Sequence, residues 1–523
     1  MKVRVAALVL LLLASGDLAQ DRPAEGDLFG SPSKAEPESR NPESPAPPSP
    51  PRPSPRALSE EPGLQGEAGA EARLKSALEK TEDPLKIGGV LYLRGNLSAR
   101  EQAPPSAWTL SAPSLTDLYL DVRPLDRVRG FVLGRMLFDP TQGSSTSPLP
   151  GVNLPISIST QSNPTVLLDQ LWLRFDLART VFLTIGRQHV KWGVGHFWNP
   201  TDYLHAVRRD PLATFDERTG TFMAKAHLPW EKRGWNFYGM AIFEPLVTQA
   251  TSPFQSSAGG STGPASASGA SSTPSELGDL GAGARAEVVV GNFEFGVDGA
   301  VQRGIRPRFG VDVSGGIGEV DLRGELGLRT SSDVPLYRGT FVPSQALSSN
   351  VSTYEPSGLR PMLVLGADWE HKYSDQSSFT LGLEYFYNSN GYSDASLYPY
   401  LVIAPYLTNP PQASGFTPFY LGKHYAGAYL LLPKPGNWNL HTFTLSAIAN
   451  LSDMSEVARL DWNMTLLTYL RLEAYLQGHF GTSGGEFRFA LPAMVFATAV
   501  GSVSTPVLGA SVADAGLGLR LDL

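Results

Sequence analysis

Residues 183–220, LTIGRQHVKWGVGHFWNPTDYLHAVRRDPLATFDERTG, hold the most unusual concentration of chemistry-bearing side chains in the chain. Arg187, His189, Lys191, Arg208 and Arg209 bring cationic or protonatable groups, and Trp192 and Trp198 bring flat aromatic faces. These types suit reversible recognition of a polar or acidic solute by hydrogen bonding, charge and ring stacking. They fit catalysis poorly. The eight histidines are scattered; His189 and His196 stand seven residues apart with no acidic residue between them, unlike the H-E-x-x-H spacing that puts two ligands on one helix face. No G-x-S-x-G elbow occurs. The absence of cysteine removes thiol catalysis, disulfides and cysteine metal sites. No cofactor or metal is expected, although an enzyme assembled from side chains on distant loops stays open.

The same segment breaks a face. Val181, Leu183 and Ile185 alternate as apolar positions, and Arg187, His189 and Lys191 follow at the same parity. A Lys or Arg held toward lipid at mid-depth costs about 2–4 kcal/mol. Either the apolar stretch of the strand ends at Gly186, or a bulge there rotates the faces. The residues beyond then read as a loop. It either folds inward as a constriction that offers cations and aromatics to a solute, or packs on a rim for stability.

The elements around this segment are strands. From residue 85 the pattern has period two. In the first stretch Leu85, Ile87, Leu91 and Leu93 oppose Lys86, Tyr92, Arg94 and Asn96. Val320, Leu322, Leu326 and Leu328 oppose Asp321, Arg323, Glu325 and Arg329; Leu470, Leu472 and Leu476 oppose Arg471, Glu473 and Gln477. Strands are expected to start near residues 85, 115, 127, 166, 180, 220, 234, 280, 292, 307, 318, 360, 378, 422, 438, 455, 469 and 508. Their connections alternate in length, apart from two short odd-numbered ones near residues 303–306 and 450–454. Short ones include Pro124-Leu125-Asp126, Ala178-Arg179, PWEKRG, Gly315-Gly316-Ile317 and Leu467-Thr468; long ones include residues 98–114, 139–165, 189–219, 245–279, 330–359, 389–421 and 481–507. Short turns at one end and long loops at the other are the pattern of a transmembrane barrel. The expected fold is therefore all-β, a single antiparallel barrel of 16–18 strands over residues 85–523. An even count puts both chain ends on the short-turn, periplasmic side.

Composition agrees. Charged residues are 18% and hydrophobics 42%, too polar for a helical membrane bundle, and no apolar run long enough for a spanning helix follows the N-terminus. Residues 1–20 read as a secretory signal, with Lys2 and Arg4 ahead of an apolar core. Residues 21–66 read as a disordered, Pro-rich periplasmic tether, with 12 prolines among residues 21–63. Residues 67–84 suit a short helix and linker. Residues 251–275 are low complexity and read as a solvent-exposed extracellular loop. No basic cluster points to nucleic acid.

The inward parity mixes signs. Arg129, Arg135, Arg174, Arg323 and Arg471 are the expected lumen-facing cations, set against Asp117, Asp121, Asp176, Asp321, Glu325 and Glu473. They form either a ladder of cross-strand pairs or a charged filter.

The string Gly186-Arg187-Gln188 followed by Trp192-Gly193 resembles a GRQ-x-x-x-WG segment of porin-like outer-membrane barrels, including those of exopolysaccharide and alginate export. The alternating end AGLGLRLDL resembles the terminal strand that barrel-assembly machinery recognises, with Leu523 where Phe is usual. The resemblance implies an outer-membrane channel for polar solute or polymer, most sharply a polysaccharide-secretion conduit. Outer-membrane lipid, the assembly machinery and a periplasmic export complex are the expected partners. A diffusion porin and a non-conducting scaffold or adhesin barrel are the alternatives.

Overall fold

A computed structural model describes residues 85–141, 163–244, 280–407, 415–498 and 501–523, with short breaks at 206–207, 214–215, 217, 304, 333, 375–376 and 505–506. The expected signal, tether, short helix and low-complexity loop lie outside the described residues.

Eighteen strands form the wall. They are β1 (Leu85–Arg100), β2 (Ser114–Leu125), β3 (Val128–Phe138), β4 (Thr165–Leu177), β5 (Val181–Gln188) and β6 (Thr221–Trp230). Next come β7 (Trp235–Ile242), β8 (Gly281–Val290), β9 (Phe293–Gln302), β10 (Ile305–Ile317), β11 (Val320–Arg329) and β12 (Arg360–Ser374). The last are β13 (Ser377–Asn388), β14 (His424–Pro433), β15 (His441–Asn450), β16 (Ser455–Leu467), β17 (Leu470–Gly481) and β18 (Ser511–Asp522). Each pairs with its chain neighbour, and β18 returns antiparallel to β1, from Val90↔Asp522 to Ala99↔Ala513. The sheet is closed, so no edge is left with unpaired amides.

The two faces explain why these residues form strands. Outward positions carry apolar side chains that remain exposed, among them Leu118, Leu173, Val297, Leu365, Leu383, Leu476 and Leu517. A continuous apolar belt of this kind suits lipid rather than water. At the short-turn end it is edged by Trp230, Trp438 and Tyr469, all about half exposed, in the manner of an interfacial aromatic girdle. Inward positions carry the charges. Arg94, Asp117, Asp121, Arg135, Arg285, Asp298, Asp312, Glu325 and Arg459 are all buried.

The turns sit slightly further out than the sequence places them. Gly315-Gly316-Ile317 belongs to β10, and the turn that follows is Gly318–Glu319, with Gly318 at φ +66°. Leu467 likewise ends β16, leaving Thr468–Tyr469 as the turn. Strands here project past the apolar belt, so apolar periodicity stops before hydrogen bonding does. At the Ala178-Arg179 turn both residues take positive φ, 57° and 55°, as a two-residue hairpin with the strand's own twist requires.

The long loops at the other end carry structure of their own. Residues 330–359 contain a hairpin, Leu336–Thr340 against Asn350–Tyr354. Residues 389–423 contain helix α1 (Tyr398–Leu407), whose Tyr398 and Leu401 are wholly buried against Tyr337, Phe416 and Phe489. Residues 482–510 contain a second hairpin, Val495–Thr498 against Gly501–Ser504. The loop between β5 and β6 turns inward instead.

Candidate constriction site

The inward loop begins where β5 ends. Gly186 has φ +129° and pairs with Trp172, and a side chain there would collide with the Leu171 carbonyl. The strand runs on to Gln188 without rotating its faces. The parity break is instead on β4, where a bulge at Asp169 shifts the register against β3 and buries both Asp169 and Gln170. Gln188 Nε2 donates to the carbonyls of Thr184, Gly186 and Met223, which fixes the exit from the strand.

Two wall carboxylates then hold the loop by its backbone. Glu325, on the inner face of β11, accepts N–H bonds from Val194 (2.9 Å), Gly195 (3.2 Å) and Thr201 (2.7 Å), with the Thr201 hydroxyl at 2.9 Å. Glu384, on β13, accepts from three consecutive amides, His196 (2.6 Å), Phe197 (2.9 Å) and Trp198 (3.0 Å). Charge-assisted bonds to backbone N–H are among the stronger ones, and here they occur in a buried setting. Gly193 permits this approach: it has φ +89°, and a Cβ there would stand 2.5 Å from Glu325 Oε2. Carbonyls of the same loop meet arginines nearer the long-loop end. Arg329 donates to Pro200 O at 3.0 Å and Arg308 to Tyr203 O at 3.1 Å.

Apolar contacts complete the docking. Trp198 has no exposed surface, stacks on Phe386 at 5.3 Å and donates its indole N–H to Phe419 O. Trp192 is buried with Tyr203, Leu204, Met223, Met240 and Ile242. His196 stacks on Tyr429 at 4.0 Å. At the return of the loop, Asp202 binds Arg218 at 2.7 Å and His205 at 2.8 Å. Burial alone would push the Asp202 carboxyl up; Arg218 and His205 reverse this and hold it below the ordinary carboxylate range.

The expected site residues therefore fall in different places. Trp192 and Trp198 are buried anchors of the docked loop rather than exposed platforms, because their rings pack against inner-wall side chains, Met223, Met240 and Ile242 for Trp192 and Phe386 and Tyr425 for Trp198. His189 is nearly buried beside Asp169. Lys191 is exposed, Arg209 is half-buried, and Arg208 lies 4.4 Å over the Tyr420 ring. Arg187 departs from the expectation of a cation facing the solute path. It keeps the outward parity of Ile185, between Leu171 and Phe222, and its guanidinium reaches Glu244 and the Gly220 carbonyl at the strand end.

The lumen-facing arginines all lie on the inner parity. Arg129 and Arg135 make two-pronged pairs with Asp121 and Asp117, every contact at 2.8 Å. Arg174 lies 5.2 Å over Trp172. Arg323 joins Asp368 and Glu384. Arg471 meets Asp522 at 3.6 Å and keeps a third of its side chain exposed.

One feature needed the register to be seen. Arg308 stands directly opposite Arg329, and Arg329 directly opposite Arg360, so three guanidinium side chains share one cross-strand row on the inner face. Arg208 reaches the same place from the loop, close enough to act electrostatically on Arg308 and Arg329. Like charges directly opposite one another are costly in a sheet. Backbone carbonyls and the Tyr203 ring, 6.0 Å from both Arg308 and Arg329, offset part of that cost. The row gathers arginines at the long-loop end of the inner face. Among the described residues no group of three metal-ligating side chains forms.

The fold and its interior define a class: a wide antiparallel barrel with an apolar exterior, a charged interior and, among the described residues, a loop docked on the inner wall. No family model and no curated protein matches the chain. Solved structures do. A mutant of the Rhodopseudomonas blastica porin is 9% identical and covers 84% of this chain and all of its own, with a TM-score of 0.38. Acinetobacter baumannii OccAB1 is 9% identical, covering 84% and 96%, with a TM-score of 0.46. Pseudomonas aeruginosa OccK11 (OpdR) is 10% identical over the same shares, with a TM-score of 0.43.

Proposed function

We propose that this protein is an outer-membrane channel for polar solutes, narrowed by the loop of residues 189–220. The observation that carries this reading is the inner wall on the short-turn side of the loop. There Arg174, Lys225, Glu287, Arg323, Asp368 and Glu473 face inward and are only partly covered. A barrel whose interior served only as a core would bury apolar side chains at these positions, and eighteen strands leave a lumen too wide for wall side chains to close.

The arginine row makes the entrance favour anions. The sharper form of the proposal is a conduit for saccharide chains, acidic ones above neutral ones. It is supported by the alternation of paired charges with rings, as where Arg129 and Arg174 both stand over Trp172, since sugars combine hydroxyl groups with apolar faces. An export complex on the periplasmic side is the partner this form implies. The test is release from liposomes that contain the purified barrel, loaded with oligosaccharides matched in size and differing in charge. Faster efflux of the acidic sugar is expected. Retention of both sugars by liposomes holding a folded barrel favours a scaffold or adhesin.

A further inference from the structure

We propose that Phe419 is a positioning residue of the constriction, through which the two surface loops of residues 389–423 and 482–510 set the place of the inward loop's tip. This rests on the reading of that loop as a constriction. The Phe419 backbone ties three loops together. Its N–H donates to the Glu486 carboxylate on the second surface loop, and its carbonyl accepts the Trp198 indole N–H at 2.9 Å. Glu486 is itself held by the Tyr425 hydroxyl at 2.6 Å and the Asn450 amide at 2.7 Å. Phe419 has φ +67°, a region that bulky side chains rarely adopt. Such strain persists only where the surroundings over-determine the backbone. Here the N–H, the carbonyl and the ring each answer to a different neighbour: Glu486, Trp198 and, at 5.3 Å, Phe487.

Two apolar cores meet at this residue. The tip core joins Phe197 and Trp198 of the inward loop to Phe386 and Tyr425 of the wall. The cap core joins Tyr398 and Leu401 of α1 to Tyr337 of the neighbouring hairpin. Residues 416–421 divide between them: Phe416 and Leu421 pack in the cap core, Phe419 and Tyr420 in the tip core. The second surface loop divides the same way, with Phe487 in the tip core and Phe489 in the cap core. Ring pairs align across the two loops, Phe416 with Phe489 at 4.9 Å and Phe419 with Phe487 at 5.3 Å. Close-packed interiors transmit displacement instead of absorbing it. A shift of the cap is therefore passed to this seam, and the Phe419 carbonyl passes it to the Trp198 ring. Glu325 and Glu384 hold the tip from the wall, so a loosened cap leaves the loop docked and its tip mobile.

The test is the mobility of a nitroxide label at the tip, read by electron spin resonance on the full-length protein in liposomes. Asn199→Cys supplies the site: the chain has no cysteine of its own, and the Asn199 side-chain oxygen has no hydrogen-bond partner to lose. In that labelled parent Leu401→Ala, which leaves a cavity in the cap core, is expected to shift the spectrum toward the mobile line shape. Trp198→Phe keeps a ring against Phe386 and removes the N–H that Phe419 accepts. In its background Leu401→Ala is expected to add little further shift, as a shared path requires. Equal added shifts in the two backgrounds, or none in the labelled parent, overturn the proposal.

Phe419→Ala and Phe419→Gly supply a second reading, which decides the matter should Leu401→Ala fail to insert. Both lack the ring, but only glycine accepts φ +67° freely and keeps the carbonyl on Trp198, so the glycine variant is expected to show the less mobile tip. Equal mobility in the two, as a role in packing alone would give, also overturns it. The label reports whether or not the barrel conducts. Coupled mobility in a barrel that gives no conductance steps sinks the channel reading alone, and a conducting barrel without the coupling sinks this proposal alone.

Discussion

Glu384 accepts the backbone N–H of Trp198 at 3.0 Å across 186 residues of sequence, and the indole of Trp198 is wholly buried against the same wall. One carboxylate on β13 and one ring on the loop thus fix the tip of the loop inside the barrel. Removing either should free the tip. Glu384→Ala leaves three amides without their acceptor, at about 1–3 kcal/mol for each buried group left unmatched. The loop is expected to detach while the barrel stays closed, so mean conductance rises and current noise increases in planar bilayers. Unchanged conductance would show that the tip does not narrow the path.

Trp198→Ala removes packing against Phe386 and Tyr425, at about 3–5 kcal/mol. The temperature at which the heat-modifiable band converts should fall, and conductance should rise as it does for Glu384→Ala. A lower conversion temperature with normal conductance would make the loop a rim brace rather than a constriction.

The arginine row predicts selectivity. Neutralising Arg360 and Arg208 together (Arg360→Gln, Arg208→Gln) should move the reversal potential in a salt gradient toward cation preference. The matched pair Arg129→Gln and Arg135→Gln, whose charges are already met by Asp121 and Asp117, should move it less. Arg187→Gln should move it least, because its side chain is on the outward face. Equal shifts from all three would mean that no local field at the entrance decides selectivity.

Much of the wall was legible in the sequence, and the reason is physical. Lipid on one side and water on the other impose period two on every strand, so the expected starts at 360 and 455 match β12 and β16. The closed sheet has the eighteen strands that the alternating connections imply. Helix α1 was not legible: its ten residues are nearly all apolar, and without periodicity a short apolar run reads as neither helix nor strand. The docking of the loop was legible only as a parity problem. Glu325 looked like a member of a charge ladder and Glu384 was not singled out, because nothing local marks a carboxylate that will accept amides from over a hundred residues away. Arg329 looked compensated by its acidic strand neighbours. Only the register places it between Arg308 and Arg360.

The long-loop end should respond to pH through Glu486. Burial, reinforced by Asp453, pushes this carboxyl up to about 8 from an ordinary value of 4.5. The folded state therefore holds the proton more tightly than the unfolded one. Its stabilising contribution is complete below about 4.5 and is lost as the pH rises through about 8, a difference on the order of a few kcal/mol. Glu486→Gln mimics the protonated form. Thermal unfolding followed from about pH 5 to about pH 9 should show a decline in the parent protein and a flatter profile in the variant. Parallel profiles would remove Glu486 from the account.

The central claim is that the charged interior is a path narrowed by a docked loop, and single-channel recording of the purified, heat-modifiable protein in a planar bilayer tests it most directly. The account predicts discrete conductance steps with anion preference, enlarged in Glu384→Ala. A folded barrel that inserts and gives no steps, in the parent protein and in Glu384→Ala alike, would contradict it.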